Sequence, residues 1–149
     1  MKKCHLIAAT CALLLAGCAH SPSAPDPVRP QVFVVDGRFL VVDAEPLVFT
    51  RRGAITITWH LPKGYTFDQK QGIVIEGLLL KQTRVLREGE VHQTYVLDPK
   101  QSEITCGPGK DRSEFSCLNR NTKPGRYKYT IHLEGAASIE ALDPWIMNN

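Results

Sequence analysis

Period-two alternation organises most of the chain after residue 30. Ile55, Ile57 and Trp59 alternate with Thr56, Thr58 and His60, and Tyr127, Tyr129, Ile131 and Leu133 alternate with Lys128, Thr130, His132 and Glu134. Neighbouring side chains on a strand project to opposite faces, so each run predicts a strand with one face in a core. Val91, Gln93, Tyr95 and Leu97 repeat the pattern more weakly. Residues 31–35 and 38–42 are rich in β-branched side chains and flank Asp36-Gly37, the dipeptide of a tight hairpin. Residues 72–76 predict another strand, and Phe115 with Cys117 part of one more.

Turn formers recur at Asp36-Gly37, Arg52-Gly53, Pro62-Lys63-Gly64, Glu88-Gly89, Asp98-Pro99, Gly107-Pro108-Gly109 and Pro124-Gly125. That spacing predicts roughly seven to nine short strands. No stretch carries apolar residues at helical spacing over three turns. The longest run after residue 18 without Gly or Pro, residues 110–123, is polar and has no stripe. The expected fold is all-β, a small antiparallel β-sandwich, immunoglobulin-like or transthyretin-like in outline, with a small closed β-barrel as the alternative. Residues 31–149 suffice for one core and are too few for two. Trp145 and Ile146, in an apolar cluster near the end of the sequence, are expected to pack against the sandwich, since each gains roughly 1.5–3 kcal/mol on full burial. Pro144 beside them suits an edge or a bend, because it cannot donate to a ladder.

The first thirty residues break the pattern. Lys2 and Lys3 precede an uncharged apolar run over residues 6–16. A membrane span needs about 20 residues, so this shorter run reads as a secretory signal. It ends in Leu15-Ala16-Gly17-Cys18, which resembles the lipobox of bacterial lipoprotein precursors at all four positions. The resemblance implies removal of residues 1–17, diacylation of the Cys18 thiol and acylation of the new amino terminus. Ala19 stands where an Asp would signal inner-membrane retention, so the implied location is the outer membrane, with the body facing the periplasm. A single acyl chain binds a bilayer with K on the order of 10⁴ M⁻¹, whereas two or more hold stably. Residues 18–30 then form a linker, with Pro at 22, 25, 27 and 30 favouring extended chain, and residues 31–149 form the domain.

Charge adds little. The chain has 18 Lys+Arg against 15 Asp+Glu, a formal +3, and loss of Lys2 and Lys3 would bring the remainder close to neutral. A strongly basic nucleic-acid binder is excluded, and no nucleic-acid partner is expected. Of the five Cys, Cys4 and Cys11 would leave with the signal and Cys18 would take lipid. Cys106 and Cys117 remain, an even pair in an exported chain, and predict a structural disulfide. A loop of that size contributes about 3 kcal/mol in the chain-entropy picture. Turn formers between the two Cys predict a hairpin stapled near its open end.

Candidate chemistry is sparse. His60, His92 and His132 all fall on the polar phase of predicted strands and are expected to face solvent. Glu134 shares a face with His132, a spacing too common to mark a site. Neither a Gly-x-Ser-x-Gly elbow nor a His-Glu-x-x-His motif is present. No catalytic residue, metal ligand or cofactor is expected. Basic residues gather at Lys81, Arg84 and Arg87, and again at Arg120, Lys123, Arg126 and Lys128, and are expected to form solvated faces. These features describe a non-enzymatic lipoprotein, held to the membrane through Cys18, that serves as an accessory or binding module for another envelope protein. Strand addition at a bare sheet edge is the expected route. The alternative is a small inhibitor or ligand-binding lipoprotein. In size and class the chain is similar to lipid-anchored lysozyme inhibitors of bacteria, although their Ser-Gly-containing loop is absent.

Overall fold

The structure is a computed structural model that describes residues 24–85, 91–135, 139 and 144–149. The expected signal segment and Cys18 lie outside the described residues. Among the described residues ten strands follow one another: β1 (Val32–Val35), β2 (Phe39–Val42), β3 (Leu47–Phe49), β4 (Ile55–His60), β5 (Ile73–Val85), β6 (Val91–Asp98), β7 (Ile104–Pro108), β8 (Glu114–Asn119), β9 (Gly125–Ile131) and β10 (Trp145–Asn148). A five-stranded sheet, β3-β10-β9-β5-β6, packs on a three-stranded sheet, β4-β8-β7, and β1 pairs with β2 alone. The fold is the expected all-β sandwich, and none of its sheets closes into the alternative barrel.

The core follows from the alternation. Ile57 and Trp59 of β4 and Phe115 and Cys117 of β8 point inward, against Tyr127, Tyr129 and Ile131 of β9. The Trp59 and Tyr129 rings meet edge-on, 5.3 Å between centroids, and the indole N–H donates to the Tyr129 hydroxyl at 3.3 Å. An edge-to-face pair that also satisfies the indole donor joins the two sheets at their centre.

Asp36 and Gly37 turn β1 into β2. Their φ angles are 52° and 64°, the left-handed values of a primed hairpin turn, and the Arg38 N–H donates to the Val35 carbonyl at 3.0 Å. Val32, Leu40 and Val42 are buried on one face of this hairpin.

Four features depart from the sequence reading. The C-terminal strand is interior: β10 lies between β3 and β9, parallel to β3 and antiparallel to β9. Ile146 is fully buried as expected, but Trp145 alternates to the outer face, where the Arg126 guanidinium sits 5.2 Å from its ring centroid. Pro144 lies just ahead of the strand, where no ladder donor is needed, and its carbonyl accepts from the Tyr129 N–H at 3.1 Å. The disulfide joins Cys106 and Cys117 at the middle pair of the β7–β8 ladder, because pairing continues beyond it to Ile104 and Asn119. Residues 28–30, read as linker, lie along the free edge of β4. The Val28 carbonyl accepts from Thr58 N–H at 2.9 Å and the Pro30 carbonyl from His60 N–H at 3.1 Å, with Val28 half-buried against the core. Proline lacks a donor but its carbonyl is free to cover an edge. Finally, β5 runs far past the segment that reads as a strand, to Val85.

Candidate functional site

The extension of β5 makes the most unusual surface. Up to Leu78, β5 is paired with β9, and the register shifts between Ile75 and Gly77. A Cβ on Gly77 would stand 2.6 Å from the Asp98 carbonyl oxygen, so only glycine lets the start of the β5–β6 ladder approach this bulge. Beyond Leu78 the ladder to β9 ends, and β5 pairs only with β6, from Leu78↔Asp98 out to Val85↔Val91. The two strands leave the sandwich as an arm. Among the described residues no third strand pairs with either side of it.

The arm is apolar for a surface element. Val85, Val91 and Tyr95 are 73%, 58% and 58% exposed. They share a face with Leu79 and Leu97, by the cross-strand pairs Leu79↔Leu97, Lys81↔Tyr95 and Val85↔Val91. Leu80 and Val96 form an exposed pair on the opposite face. The alternation of Val91, Tyr95 and Leu97 is thus real, but among the described residues no second sheet covers it. Lys81 and Arg84 bring positive charge to the same element; Arg87 lies outside the described residues. A strand pair with bare backbone edges and apolar faces is a template for another chain.

A second feature surrounds His60, on the outer face of the three-stranded sheet. His60 is half-buried rather than solvent-facing. Glu114 stands directly across from it on β8, with its Oε1 3.4 Å from Nδ1, and the docked residues 28–30 cover the strand edge beside it. The His60 Nε2 is buried without a hydrogen-bond partner among the described residues. Thr58 and Ser116, the next cross-strand pair, share a hydroxyl hydrogen bond at 3.0 Å. His60, Glu114 and Thr58 line an open groove of about 410 Å³ together with Arg29 and Lys110. A smaller hollow of about 210 Å³ lies where Leu78, Asp98, Lys123 and Tyr127 meet, and there the buried Tyr127 hydroxyl has no partner among the described residues. Burial pushes that hydroxyl, and the Tyr129 hydroxyl more strongly, above the usual phenol range.

The other predicted residues do not converge. His92 is exposed on the arm and His132 at the end of β9. Glu134 pairs with Arg112 and accepts from the Thr66 hydroxyl. In the second basic group, Arg126 covers Trp145 and Lys128 pairs with Glu76 at 3.1 Å. Among the described residues no three His, Cys, Asp or Glu side chains gather as metal ligands would. The sequence reading missed the arm and the His60–Glu114 pair. For the pair, the usable signal was the polar phase of two strands that happen to be neighbours.

No protein-family model, no curated protein and no solved structure matches this chain.

Proposed function

We propose that this protein is a lipid-anchored, non-catalytic binding module of the cell envelope. Acylated at Cys18 and facing the periplasm from the outer membrane, it grips another envelope protein through the β5–β6 arm. The lipobox-like Leu15-Ala16-Gly17-Cys18 supports the anchor, and the disulfide suits an oxidising compartment. The observation that carries the binding role is the arm, with its unpaired backbone edges and exposed apolar faces. The segment from Leu79 to Leu97 carries Lys81, Arg84 and Arg87 against Glu88 and Glu90, so charge selects little and the partner offers an apolar strand edge. Main-chain pairing supplies affinity in such contacts and the flanking side chains supply selection.

The test is cross-linking in intact envelopes with two chains, the native one and one in which an Asn-Gly turn replaces residues 81–95. The shortened chain keeps the sandwich, the disulfide and the anchor. The proposal expects a reproducible partner with the native chain and a loss of about tenfold or more with the shortened one. Equal capture by both chains would refute a role for the arm. The His60 groove favours a second reading, an inhibitor or ligand-binding lipoprotein. Undiminished activity of the arm-deleted chain in a lysozyme-inhibition assay would favour that reading over the first.

A further inference from the structure

The hairpin of β1 and β2 has one face in the core and one outside, and the outside face is apolar. Phe33, Val35, Phe39 and Val41 are 48%, 41%, 41% and 38% exposed. The pairs Phe33↔Val41 and Val35↔Phe39 place all four on a single face of the two-stranded ribbon. Their alternates Val32, Leu40 and Val42 are buried, so the ribbon cannot turn this face inward. A cluster of two phenylalanines and two valines on one small ribbon marks a contact surface.

Its place in the chain says with what. Residues 28–30 are fixed to β4, and the Arg29 N–H closes a turn on the Asp26 carbonyl. Eight residue steps separate Asp26 from Cys18, and so short a chain reaches at most roughly 28 Å even when fully extended. The hairpin is the element next to that attachment, so a bilayer holding Cys18 lies within its reach. A short link keeps the face at a high effective concentration against the surface, so even a weak intrinsic contact is occupied. The arm issues from the β6 edge of the sandwich, whereas the linker arrives at the β4 edge.

We propose that the Phe33–Val35–Phe39–Val41 face is a membrane-docking surface. It seats in the interface of the same bilayer that holds the Cys18 acyl chains and fixes the orientation of the body. Amphipathic elements of this kind bury their apolar side chains roughly 5–10 Å into the headgroup and acyl boundary. The inference rests on the anchored reading above and adds an orientation to it.

The test uses the full processed chain in phosphatidylethanolamine–phosphatidylglycerol vesicles whose acyl tails carry bromine. F33W places an indole on the face. The native chain is the background, since Trp59 is buried and Trp145 lies on the outer face of the other sheet. The proposal expects about a twofold loss of F33W emission in brominated over plain vesicles, and none when F39S and V41S are added. If the chain stays on vesicles but F33W emission is unchanged, the docking surface is overturned and the anchor stands. If F33W emission shifts to the blue with rising protein concentration and is not quenched by bromine, a second copy covers the face and docking is likewise overturned. If position 18 carries no lipid and the chain washes off, both the anchor and the proposal fall.

Discussion

Asn119 and Asn148 exchange two side-chain hydrogen bonds, at 2.8 and 3.1 Å, in the fully buried interior between the two sheets. The Asn119 oxygen also accepts from the Asn121 N–H at 3.0 Å, and the Asn121 amide donates to the Arg51 carbonyl at 2.6 Å. This polar chain bridges β8, β10 and the loop before β4 where an apolar core would otherwise continue. Removing one partner leaves the other buried and unsatisfied, at about 1–3 kcal/mol. N148A should therefore lower the unfolding free energy measured in urea by that amount. The paired change N119L/N148L should cost less than the two single changes added together, since it strands neither side-chain amide and leaves only the Asn121 N–H without its acceptor.

Removing the staple should loosen the molecule without unfolding it. Cys106 and Cys117 close a short loop at the middle of a ladder that also has its own backbone bonds. C106A/C117A is expected to lose about 2–4 kcal/mol. Urea unfolding of the oxidised native chain against the double variant measures this directly.

Gly77 should resist substitution more than any surface glycine. A Cβ there would meet backbone atoms of Asp98 at 2.6 and 2.9 Å, and backbone cannot swing aside as a side-chain tip can. G77A is expected to cost about 1–3 kcal/mol by forcing the strands apart. The loss should be confined to the base of the arm, and hydrogen exchange at Leu78 and Asp98 would report it ahead of the core.

Two carboxylates give opposite responses to acid. The Glu45 side chain is partly exposed, yet desolvation at its carboxylate holds its pKa above the usual range. Hydrogen bonds from the Trp145 N–H and the Tyr129 hydroxyl offset this only in part. Its contribution to stability is full below the ordinary value of 4.5 and fades as pH rises through the raised one. Glu103 is lowered, by hydrogen bonds from the Thr122 hydroxyl and N–H, so its contribution holds above 4.5 and fades as pH falls through the lowered value. E45Q should flatten the stability profile above about pH 4.5, and E103Q should flatten it below, in chemical denaturation across the acid range.

Much of the sandwich was legible because its strands are half-buried. Trp59 and Tyr129 announce their faces through their polar neighbours, Asp36-Gly37 announces a turn through its backbone freedom, and reading the first eighteen residues as an export segment leaves two Cys with one way to pair. The arm was not legible, because alternation reports which side chains share a face and not whether anything covers that face. Val91, Tyr95 and Leu97 have the rhythm of core residues and stand in the open. The β3–β10 pairing was hidden for another reason: Leu47 and Ile146 are neighbours across nearly the whole domain, and no local pattern records such a distance. Asn119 left a trace, sitting in phase with Phe115 and Cys117 where a third apolar residue belongs. His60 was read on the correct face, but its burial comes from Glu114 and from residues 28–30, which only the tertiary arrangement brings beside it.

The position of β10 bears on how the molecule comes into being. Synthesis delivers a polypeptide from its amino-terminal end, so β3 and β9 both exist before the strand that joins them. Until residues 145–148 arrive, each of those strands offers an unfilled flank, and neither can take the other as a substitute without shutting β10 out. A link between such remote parts of the sequence is slow to find. The gap in the five-stranded sheet is therefore the interval in which a nascent copy is most open to capture by a chaperone or to sticking to its neighbours.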